Sequence, residues 1–443
     1  MFLPRVCVLF FSCLVSLLIA GQTDITHYRF ELTLSDNTDS IYGKATISAR
    51  FLQASDDLWI NLRPVDAKGK GMRVTRATAG GHTLQTSVSK DTIYMHLPAT
   101  AKTGDSVRVI IEYAGIPDDG LIISKNKYGE RTFFADNWPN RAHHWIPCKD
   151  EPGDKATFEF IVTAPAEYTV VSNGKLVDVQ PAGNLKMTHW AEDVSLPTKV
   201  MVIGVARFAV TKYDSSVAGV PVSAWTYPQD SATGARNYAF APGILSFFEQ
   251  YIGPYPYNKL ANVQSKTIFG GMENASAIFY YEESAELHQS MEDLLAHEIA
   301  HQWFGDMVSE KSFPNLWLSE GFATYLTDVY LESRYGTDSL NRRLSDERKT
   351  VIQFDKRAKT PVVDSVSSLM ELLNANSYQK GAWTLHMLRL TVGDSAFHDI
   401  IRKFYAEYKG SNANTTDFER VAEKVSGKDL RQFFTQWLYT PEV

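Results

Sequence analysis

The chain has 443 residues, of which 44% are hydrophobic and 21% are charged, and its formal net charge is −7 at pH 7. This composition is typical of a folded globular protein. The negative charge and the lack of any lysine or arginine run argue against nucleic acid or an anionic membrane surface as a partner. A chain of this length exceeds one ordinary hydrophobic core, so we expect two domains.

Residues 1–21 are expected to form a secretory signal peptide that is not part of the fold. A short, weakly basic start is followed by an uninterrupted apolar run over residues 6–20, and Ala20, Gly21 and Gln22 offer small residues for cleavage. The alternative, an uncleaved membrane anchor, needs a longer apolar run, nearer to about 20 residues. We therefore expect an exported protein, periplasmic or secreted, with no stable membrane anchor after cleavage. Cys148 would then be its only cysteine, which excludes an internal disulfide.

The residues that follow the signal, up to about 215, have the pattern of a β domain. Hydrophobic and polar residues alternate with a period of two, as in strands with one buried face, in residues 28–34, 45–51, 107–113 and 156–162. Asn173 and Gly174, which lie between two further apolar runs, are typical of the two-residue turn of a tight hairpin. The pattern predicts an antiparallel β domain.

After about residue 230 the hydrophobic period becomes that of helices. Apolar positions recur at three- and four-residue spacing in residues 239–251, 291–304, 318–334, 378–390, 396–408 and 428–439, and a further helix is predicted to begin near residue 416. One strand is predicted near residues 262–268. The second half of the chain is therefore expected to be mainly helical.

The helix predicted at residues 291–304 contains two histidines that suit a metal ion. His297 and His301 are four positions apart, so their imidazoles lie on one face, roughly 6 Å apart along the helix axis. A His-Glu-x-x-His pattern also arises by chance in long chains, so the motif alone is a hypothesis. A catalytic zinc ion usually has three protein ligands and one open position, so a third ligand is expected elsewhere.

Glu320 is the candidate for that third ligand. A glutamate on an aromatic-rich helix is usually only solvent-facing, but the spacing favours a ligand, since 18 residues separate His301 from Glu320. His-Glu-x-x-His followed after 18 residues by Glu resembles the ligand pattern of the gluzincin aminopeptidases, the family of aminopeptidase N, alanyl aminopeptidase and leukotriene hydrolase.

Two further segments resemble this family. Residues 270–274, GGMEN, resemble its Gly-x-Met-Glu-Asn exopeptidase motif, and residues 377–381, SYQKG, resemble its Tyr-x-x-Gly segment with the catalytic tyrosine. The similarity runs from about residue 26 to residue 437. It implies an α+β fold with an N-terminal antiparallel β-sandwich or saddle domain, residues 22–215, and a thermolysin-like, mainly helical catalytic domain, residues 216–443.

The resemblance implies a zinc-dependent aminopeptidase that hydrolyses the N-terminal peptide bond of peptides with a free N-terminus. One Zn²⁺ per chain would be bound by His297, His301 and Glu320, which lowers the pKa of a bound water to roughly 7. Glu298, turned about 100° around the helix from His297, would move a proton from that water to the leaving amine. Tyr378 would donate a hydrogen bond to the oxyanion.

The exopeptidase segment is expected to bind the substrate's N-terminus. A free α-amine is mostly protonated at neutral pH, so the carboxylate of Glu273 would attract it and fix the cut one residue in. Gly270 and Gly271 would let the backbone approach the substrate. The substrate-binding residues expected from this segment are Gly270, Gly271, Met272, Glu273 and Asn274.

One segment departs from the family pattern. Members commonly have Gln-x-Glu-Pro before the Pro-Cys at residues 147–148, and that glutamate helps to hold the substrate amine, whereas residues 136–139 of this chain are DNWP. We expect Asp136 to take over the amine contact and Trp138 to line the side-chain pocket. The sequence therefore does not determine which N-terminal residue of the substrate is preferred.

Two other functions stay open from the sequence. The first is an epoxide hydrolase like the leukotriene enzyme, whose basic substrate-carboxylate contacts come from a C-terminal domain beyond the similar region. The second is a non-catalytic peptide-binding module on the same scaffold, although all the expected ligands and both catalytic groups are present. Because the sequence ends soon after Trp437, we expect a two-domain member with a comparatively open cleft.

Overall fold

The computed structural model describes residues 23–214, 218–286 and 290–441. The expected signal peptide, residues 1–21, lies outside the described residues, as does the expected domain boundary at residues 215 and 216. No helix in the described part of the chain has both the length and the apolar composition needed to cross a membrane.

The first half of the described chain consists of strands in three sheets. An eight-stranded sheet has the order β13-β14-β11-β1-β2-β8-β4-β5, a three-stranded sheet the order β3-β7-β6, and a four-stranded sheet the order β12-β15-β10-β9. The strands are β1 (Thr23–Thr33), β2 (Ile41–Phe51), β3 (Ser55–Asn61), β4 (Gly71–Ala79), β5 (His82–Thr83), β6 (Gln85–Ser89), β7 (Thr92–Ala101), β8 (Ser106–Ile116), β9 (Leu121–Lys125), β10 (Arg131–Ala135), β11 (Lys155–Pro165), β12 (Thr169–Ser172), β13 (Lys175–Ala182), β14 (Leu185–Pro197) and β15 (Ile203–Ala206).

The expectation of a purely antiparallel β domain is wrong at one central pair of strands. Within β1 the alternating apolar residues Tyr28, Phe30 and Leu32 are buried, as expected. However, β1 runs parallel to β11, with Phe30 opposite Phe160. Parallel neighbours need a long connection, and here β2 to β10 lie between the two strands along the chain. A period of two predicts a strand with one buried face but contains no information about its partner.

The tight hairpin expected at Asn173 and Gly174 is also wrong. The strands on either side of this turn, β12 and β13, belong to different sheets, and β12 pairs with β15 while β13 pairs with β14. Gly174 has φ +70°, and a Cβ at this position would lie 2.0 Å from the carbonyl oxygen of Ala191. The turn therefore carries the chain from one sheet to another at a point of close backbone contact.

The second half contains a five-stranded mixed sheet, order β16-β17-β18-β20-β19, a two-stranded sheet β21-β22, and nine helices among the described residues. The strands are β16 (Ala209–Tyr213), β17 (Val222–Thr226), β18 (Leu260–Gln264), β19 (Gly271–Met272), β20 (Ala277–Tyr280), β21 (Val308–Glu310) and β22 (Ser411–Ala413). The helices are α1 (Ser231–Asn237), α2 (Ala241–Tyr251), α3 (Glu292–His301), α4 (Trp317–Tyr335), α5 (Thr337–Asp355), α6 (Gly381–Val392), α7 (Asp394–Tyr408), α8 (Thr415–Ser426) and α9 (Arg431–Phe434).

The sheets and helices meet along one continuous hydrophobic core. Because β16 pairs with β17, sheet membership changes between Ala206 and Ala209. A buried ion pair joins the two halves, with Lys199 Nζ 2.6 Å from Glu310 Oε1. Removing either partner would be strongly destabilising, because the remaining charge would be buried alone.

Helices α4 and α6 approach each other most closely at two glycines. A Cβ on Gly321 would lie 2.9 Å from the Cα of Gly381 and 3.1 Å from the carbonyl oxygen of Ser377. All of these are backbone atoms, so the contact cannot be relieved by rotating a side chain. Gly321 and Gly381 thus set the spacing of the two helices.

We predict that Gly321→Ala lowers the free energy of unfolding by about 1–3 kcal/mol, as expected of overpacking in a tight core. Gly243→Ala is the matched control, because Gly243 is also in a helix but a Cβ added to it would have no atom within 4 Å. The control should be neutral or stabilising by up to about 1 kcal/mol, since alanine is the better helix former. Chemical denaturation of both variants measures the difference, and equal stabilities would contradict the packing argument.

Candidate active site

Three side chains from α3 and α4 bring their ligand atoms together. The Nε2 atoms of His297 and His301 are 3.1 Å apart, and each lies close to Oε2 of Glu320, at 3.4 Å and 3.3 Å respectively. The helical spacing of the histidines aligns their rings, and packing of α4 against α3 supplies the carboxylate. The residues expected as ligands from the sequence are therefore adjacent in space.

These distances fit a zinc ion. Nitrogen and oxygen ligands lie about 2.0–2.2 Å from zinc, so the ligand atoms of a tetrahedral site are roughly 3.3 Å apart. His301 is also oriented as a ligand, because its Nδ1 lies 3.1 Å from the carbonyl oxygen of Phe304, to which it can donate, while its Nε2 faces the other two ligand atoms. Within the described residues these three side chains are the only group of at least three histidine, cysteine or acidic residues able to share one ion.

Burial and mutual contact shift the pKa values of the three ligands. Burial raises the pKa of Glu320, but the adjacent imidazoles of His301 and His297 outweigh this and lower it. Burial lowers the pKa of His301, but the Glu320 carboxylate outweighs this and raises it to about 10. Burial lowers the pKa of His297. The site therefore keeps Glu320 ionised, as a metal ligand must be.

The three ligands lie in a cleft of about 250 Å³. It is lined by aromatic and apolar side chains, by the exopeptidase segment, and by three carboxylates. The lining residues are Trp138, Phe269, Gly270, Gly271, Met272, Glu273, Leu294, His297, Glu298, His301, Glu320, Leu373 and Tyr378. A cleft that combines apolar walls with convergent polar groups is typical of a small-molecule or peptide site.

Glu298 lies in the cleft next to the backbone of Gly271. A Cβ on Gly271 would lie 2.2 Å from Oε1 of Glu298, so only glycine leaves room for this carboxylate. Burial raises the pKa of Glu298 well above its usual range, and the charge of His301 partly opposes this. A carboxylate with a raised pKa is a stronger base, which suits a group that must take up and release a proton. That Gly270 and Gly271 let the backbone approach a substrate stays a prediction.

Glu273 presents to the cleft a carboxylate with one unpaired oxygen. The residue is 5% exposed, and its Oε1 is buried with no hydrogen-bond partner among the described residues. Burial raises its pKa, against the charges of His301 and Lys199. A buried acceptor without a donor is costly, so an incoming ammonium group would be stabilised here. Met272 lines the cleft beside it.

Tyr378 enters the cleft from a short π-helix, Asn376–Lys380, which leads into α6. Its ring lies almost parallel to that of His297, with the ring centroids 6.1 Å apart. Burial raises the pKa of its hydroxyl well above the usual value, as do the carboxylates of Glu320, Glu273 and Glu298. The hydroxyl therefore stays protonated and can act as a hydrogen-bond donor.

Asp136 lies inside the fold beside Arg141. Its side chain is fully buried, it does not line the cleft, and its Oδ1 lies 3.1 Å from a guanidinium nitrogen of Arg141. The backbone N–H of Ile268 donates to Oδ2 at 3.2 Å. The carboxylate is thus paired with Arg141 inside the fold, so the structure adds no support to the expected contact with a substrate amine, which stays a prediction.

Asn274 and Trp138 complete the expected set. Asn274 is fully buried and is not among the residues that line the cleft, so its direct substrate contact stays a prediction. Trp138 lines the cleft as expected, with its ring edge-on to those of Phe269 and Phe313. Sequence reasoning missed Phe269, although it directly precedes the exopeptidase segment. It also missed Leu294 and Leu373, which no motif distinguishes.

Two family models match the chain. The Peptidase family M1 domain matches residues 237–437, and the Peptidase M1 N-terminal domain matches residues 25–200. A curated relative, Probable aminopeptidase 2 of Sulfurisphaera tokodaii, is 29% identical over 388 residues, which are 83% of this chain and 48% of the relative. The chain spans about a third to a half of the length of the curated relatives it matches.

Solved structures with the same fold include a two-domain protein. The crystal structure of the M1 zinc metallopeptidase from Deinococcus radiodurans has a TM-score of 0.81 at 24% identity and covers 94% of this chain and 93% of its own. A mutant of that protein, bound to the substrate Tyr-Ser-Ala, also has a TM-score of 0.81, at 23% identity, with 94% of each chain covered. Both halves of this chain thus match the domains of one family in the same order, and the chain belongs to peptidase family M1.

Proposed function

We propose that this protein is a zinc-dependent aminopeptidase that hydrolyses the N-terminal peptide bond of peptides. The observation that carries the proposal is the convergence, in one cleft, of a zinc-like ligand set with Glu298 and with Glu273, whose buried Oε1 has no partner among the described residues. The names of curated relatives as aminopeptidases support the reaction, and the Tyr-Ser-Ala complex of the Deinococcus protein supports a peptide substrate.

The side chains divide the reaction among them. A zinc ion held by His297, His301 and Glu320 would supply a Lewis acid for the scissile carbonyl and would lower the pKa of water. Glu298 takes a proton from the attacking water and passes it to the leaving amine. Tyr378 donates a hydrogen bond to the oxygen that becomes negative in the transition state, an effect worth roughly 3–4 kcal/mol for single donors elsewhere.

Glu273 determines which bond is cut. Its carboxylate binds the protonated α-amine, which places the first peptide bond, and no later one, beside the ligand set. Trp138, Phe269 and Met272 supply an apolar wall for the first side chain. The proposal therefore concerns an exopeptidase, and the presence of every catalytic group supports it over a non-catalytic binding module.

We also propose that the protein is exported and acts in the periplasm or outside the cell. This rests on the signal-like pattern of residues 1–21. We further propose that the rest of the chain consists of a β domain, residues 22–215, and a catalytic domain, residues 216–443. The net charge of −7 supports partners other than nucleic acid.

The first prediction from the proposed function concerns the metal. Purified protein should contain one zinc ion per chain, and His301→Ala should lose it, whereas His386→Ala, which changes a histidine outside the cleft, should retain it. Because the pKa of His301 is about 10 in the protein without metal, this imidazole carries a proton at pH 7 that zinc must displace.

The proton release can be measured separately from the metal content. Titration calorimetry of chelator-treated protein, in buffers of different ionisation enthalpy, should show that zinc binding at pH 7 releases protons. Zinc retained at full stoichiometry by His301→Ala would contradict the ligand assignment. A binding enthalpy independent of the buffer would contradict the protonated state of His301.

The second prediction separates metal binding from catalysis. Glu298→Gln should keep its zinc, because this side chain is not a ligand, but should lose kcat by roughly 100- to 10,000-fold as the proton carrier disappears. Glu292→Gln is the matched control, since Glu292 lies on the same helix, is also buried, and binds Tyr330 and Tyr335 outside the cleft. Comparable kcat values for the two variants would show that the general base lies elsewhere.

The third prediction concerns the substrate's N-terminus. Acetylation removes the charge and the donors that Glu273 needs, so acetylated peptides should be cleaved at least about 100-fold more slowly than free ones, consistent with the cost of a buried carboxylate left unpaired. Glu273→Ala should lose most of this discrimination and keep its zinc.

Asp136→Asn is the control for that experiment. Its carboxylate is buried against Arg141 and does not reach the cleft, so this variant should lose stability but keep the discrimination. If the wild-type protein cleaves acetylated and free peptides equally well, the protein is an endopeptidase and the proposed function is wrong.

A further inference from the structure

The segment that carries Glu273 is held by a residue that the proposed reaction does not use. Gln302 follows the ligand His301 directly and is fully buried. Its Nε2 donates to the carbonyl oxygen of Glu273 at 2.7 Å and to Oδ2 of Asp306 at 3.0 Å. Its Oε1 accepts from the backbone N–H of Ser276 at 2.7 Å and from the hydroxyl of Tyr255 at 3.2 Å.

This amide uses its whole hydrogen-bonding capacity, two donated and two accepted bonds. Two of the four bonds reach the backbone of the segment Glu273–Ser276, one at each end. Gln302 directly follows the ligand His301 in the sequence. Its amide therefore connects the helix that carries the ligands to the amine-binding segment, Glu273–Ser276. A fully satisfied buried amide of this kind fixes the relative position of the elements it joins.

The β domain holds the same segment from the opposite side. Asn173 Nδ2 donates to the carbonyl oxygen of Ala275 at 2.6 Å and to that of Val200 at 2.8 Å. The backbone N–H of Gly174 donates to Oγ of Ser276 at 2.8 Å. This is the turn whose sequence suggested a hairpin, and its two residues contact the amine-binding segment instead.

The Glu273 side chain depends on this backbone for its position. Its buried Oε1 has no hydrogen-bond partner among the described residues, so the carboxylate lies where the main chain places it. We propose that Gln302 is a positioning residue that fixes the distance between the Glu273 carboxylate and the metal ligands, and that Asn173 supports it from the β domain. This inference rests on the proposed function, since it explains how the substrate amine is kept in register with the scissile bond.

The test compares two buried glutamines whose side-chain amides each donate to one backbone carbonyl and one carboxylate. Gln264 is also fully buried, and its Nε2 donates to a backbone carbonyl, that of Glu282 at 2.6 Å, and to a carboxylate, Oδ2 of Asp230 at 2.7 Å. Its Oε1 accepts from the backbone N–H of Tyr227 at 2.9 Å. Gln264 does not line the cleft, so Gln264→Met removes an equivalent network elsewhere in the same half of the chain.

Gln302→Met and Gln264→Met are assayed with one peptide in its free and N-acetylated forms, together with zinc content and thermal unfolding. Both variants should lose similar stability and keep one zinc per chain. Only Gln302→Met should lose kcat/KM for the free peptide, by roughly 10- to 100-fold, as expected of a misplacement near 1 Å. Its ratio of free to acetylated cleavage should fall at least about tenfold, with a higher KM, whereas Gln264→Met should keep the wild-type ratio.

A second variant covers the case in which Gln302→Met does not fold. Asn173→Ala changes no residue of the zinc helix and should reduce the same ratio in the same direction, by a smaller factor. If a folded Gln302→Met keeps the wild-type ratio, this inference is wrong but the proposed function stands. If Gln302→Met is unfolded, a wild-type ratio in Asn173→Ala leads to the same conclusion. A wild-type protein without discrimination would instead contradict the proposed function, and this inference with it.

Discussion

The site depends on placing four carboxylates in one buried volume. Glu273, Glu298, Glu320 and Asp306 are each at most 5% exposed. Burial raises the pKa values of Glu273, Glu298 and Asp306, whereas the adjacent imidazoles lower that of Glu320. Carboxylates this close repel one another when ionised, so positive charge must be supplied beside them. A divalent ion held by the two histidines and Glu320 would supply such charge.

Two buried lysines of the β domain, Lys199 and Lys155, add positive charge near these carboxylates, so both halves of the chain contribute to the site. Lys199 is buried against Glu310. Lys155 donates to the carbonyl oxygens of Asp306 and Met307, both at 3.0 Å, just after the zinc helix, and burial lowers its pKa to about 7. Three donated bonds to carbonyl oxygens, including one to Ser411, favour the protonated amine. The β domain therefore sets the electrostatics of the cleft as well as its geometry.

The sequence predicted individual elements better than their arrangement. Helices α2, α3, α4 and α7 and strand β18 lie close to the expected positions, because hydrophobic period is a local property. The parallel pairing of β1 with β11 was missed, since partners far apart along the chain leave no local signal. Helix α5 was missed as well, because it buries few apolar side chains, with Leu340, Leu344 and Val351 among them, and its other residues are mostly polar.

The sequence predicted those site residues that a characteristic spacing along the chain identifies. Helical geometry fixes His297 and His301 relative to each other, and the 18-residue interval led to Glu320, so these ligands followed from the sequence. The pairing of Asp136 with Arg141 was not predicted, because the sequence does not identify Arg141 as its partner. Gln302 and Asn173 were overlooked as parts of the site because neither carries a charge or a reactive atom. Their importance comes from which backbone atoms they reach, and only tertiary structure determines that. The residues that perform the chemistry are thus encoded locally, whereas the residues that position them depend on the complete fold.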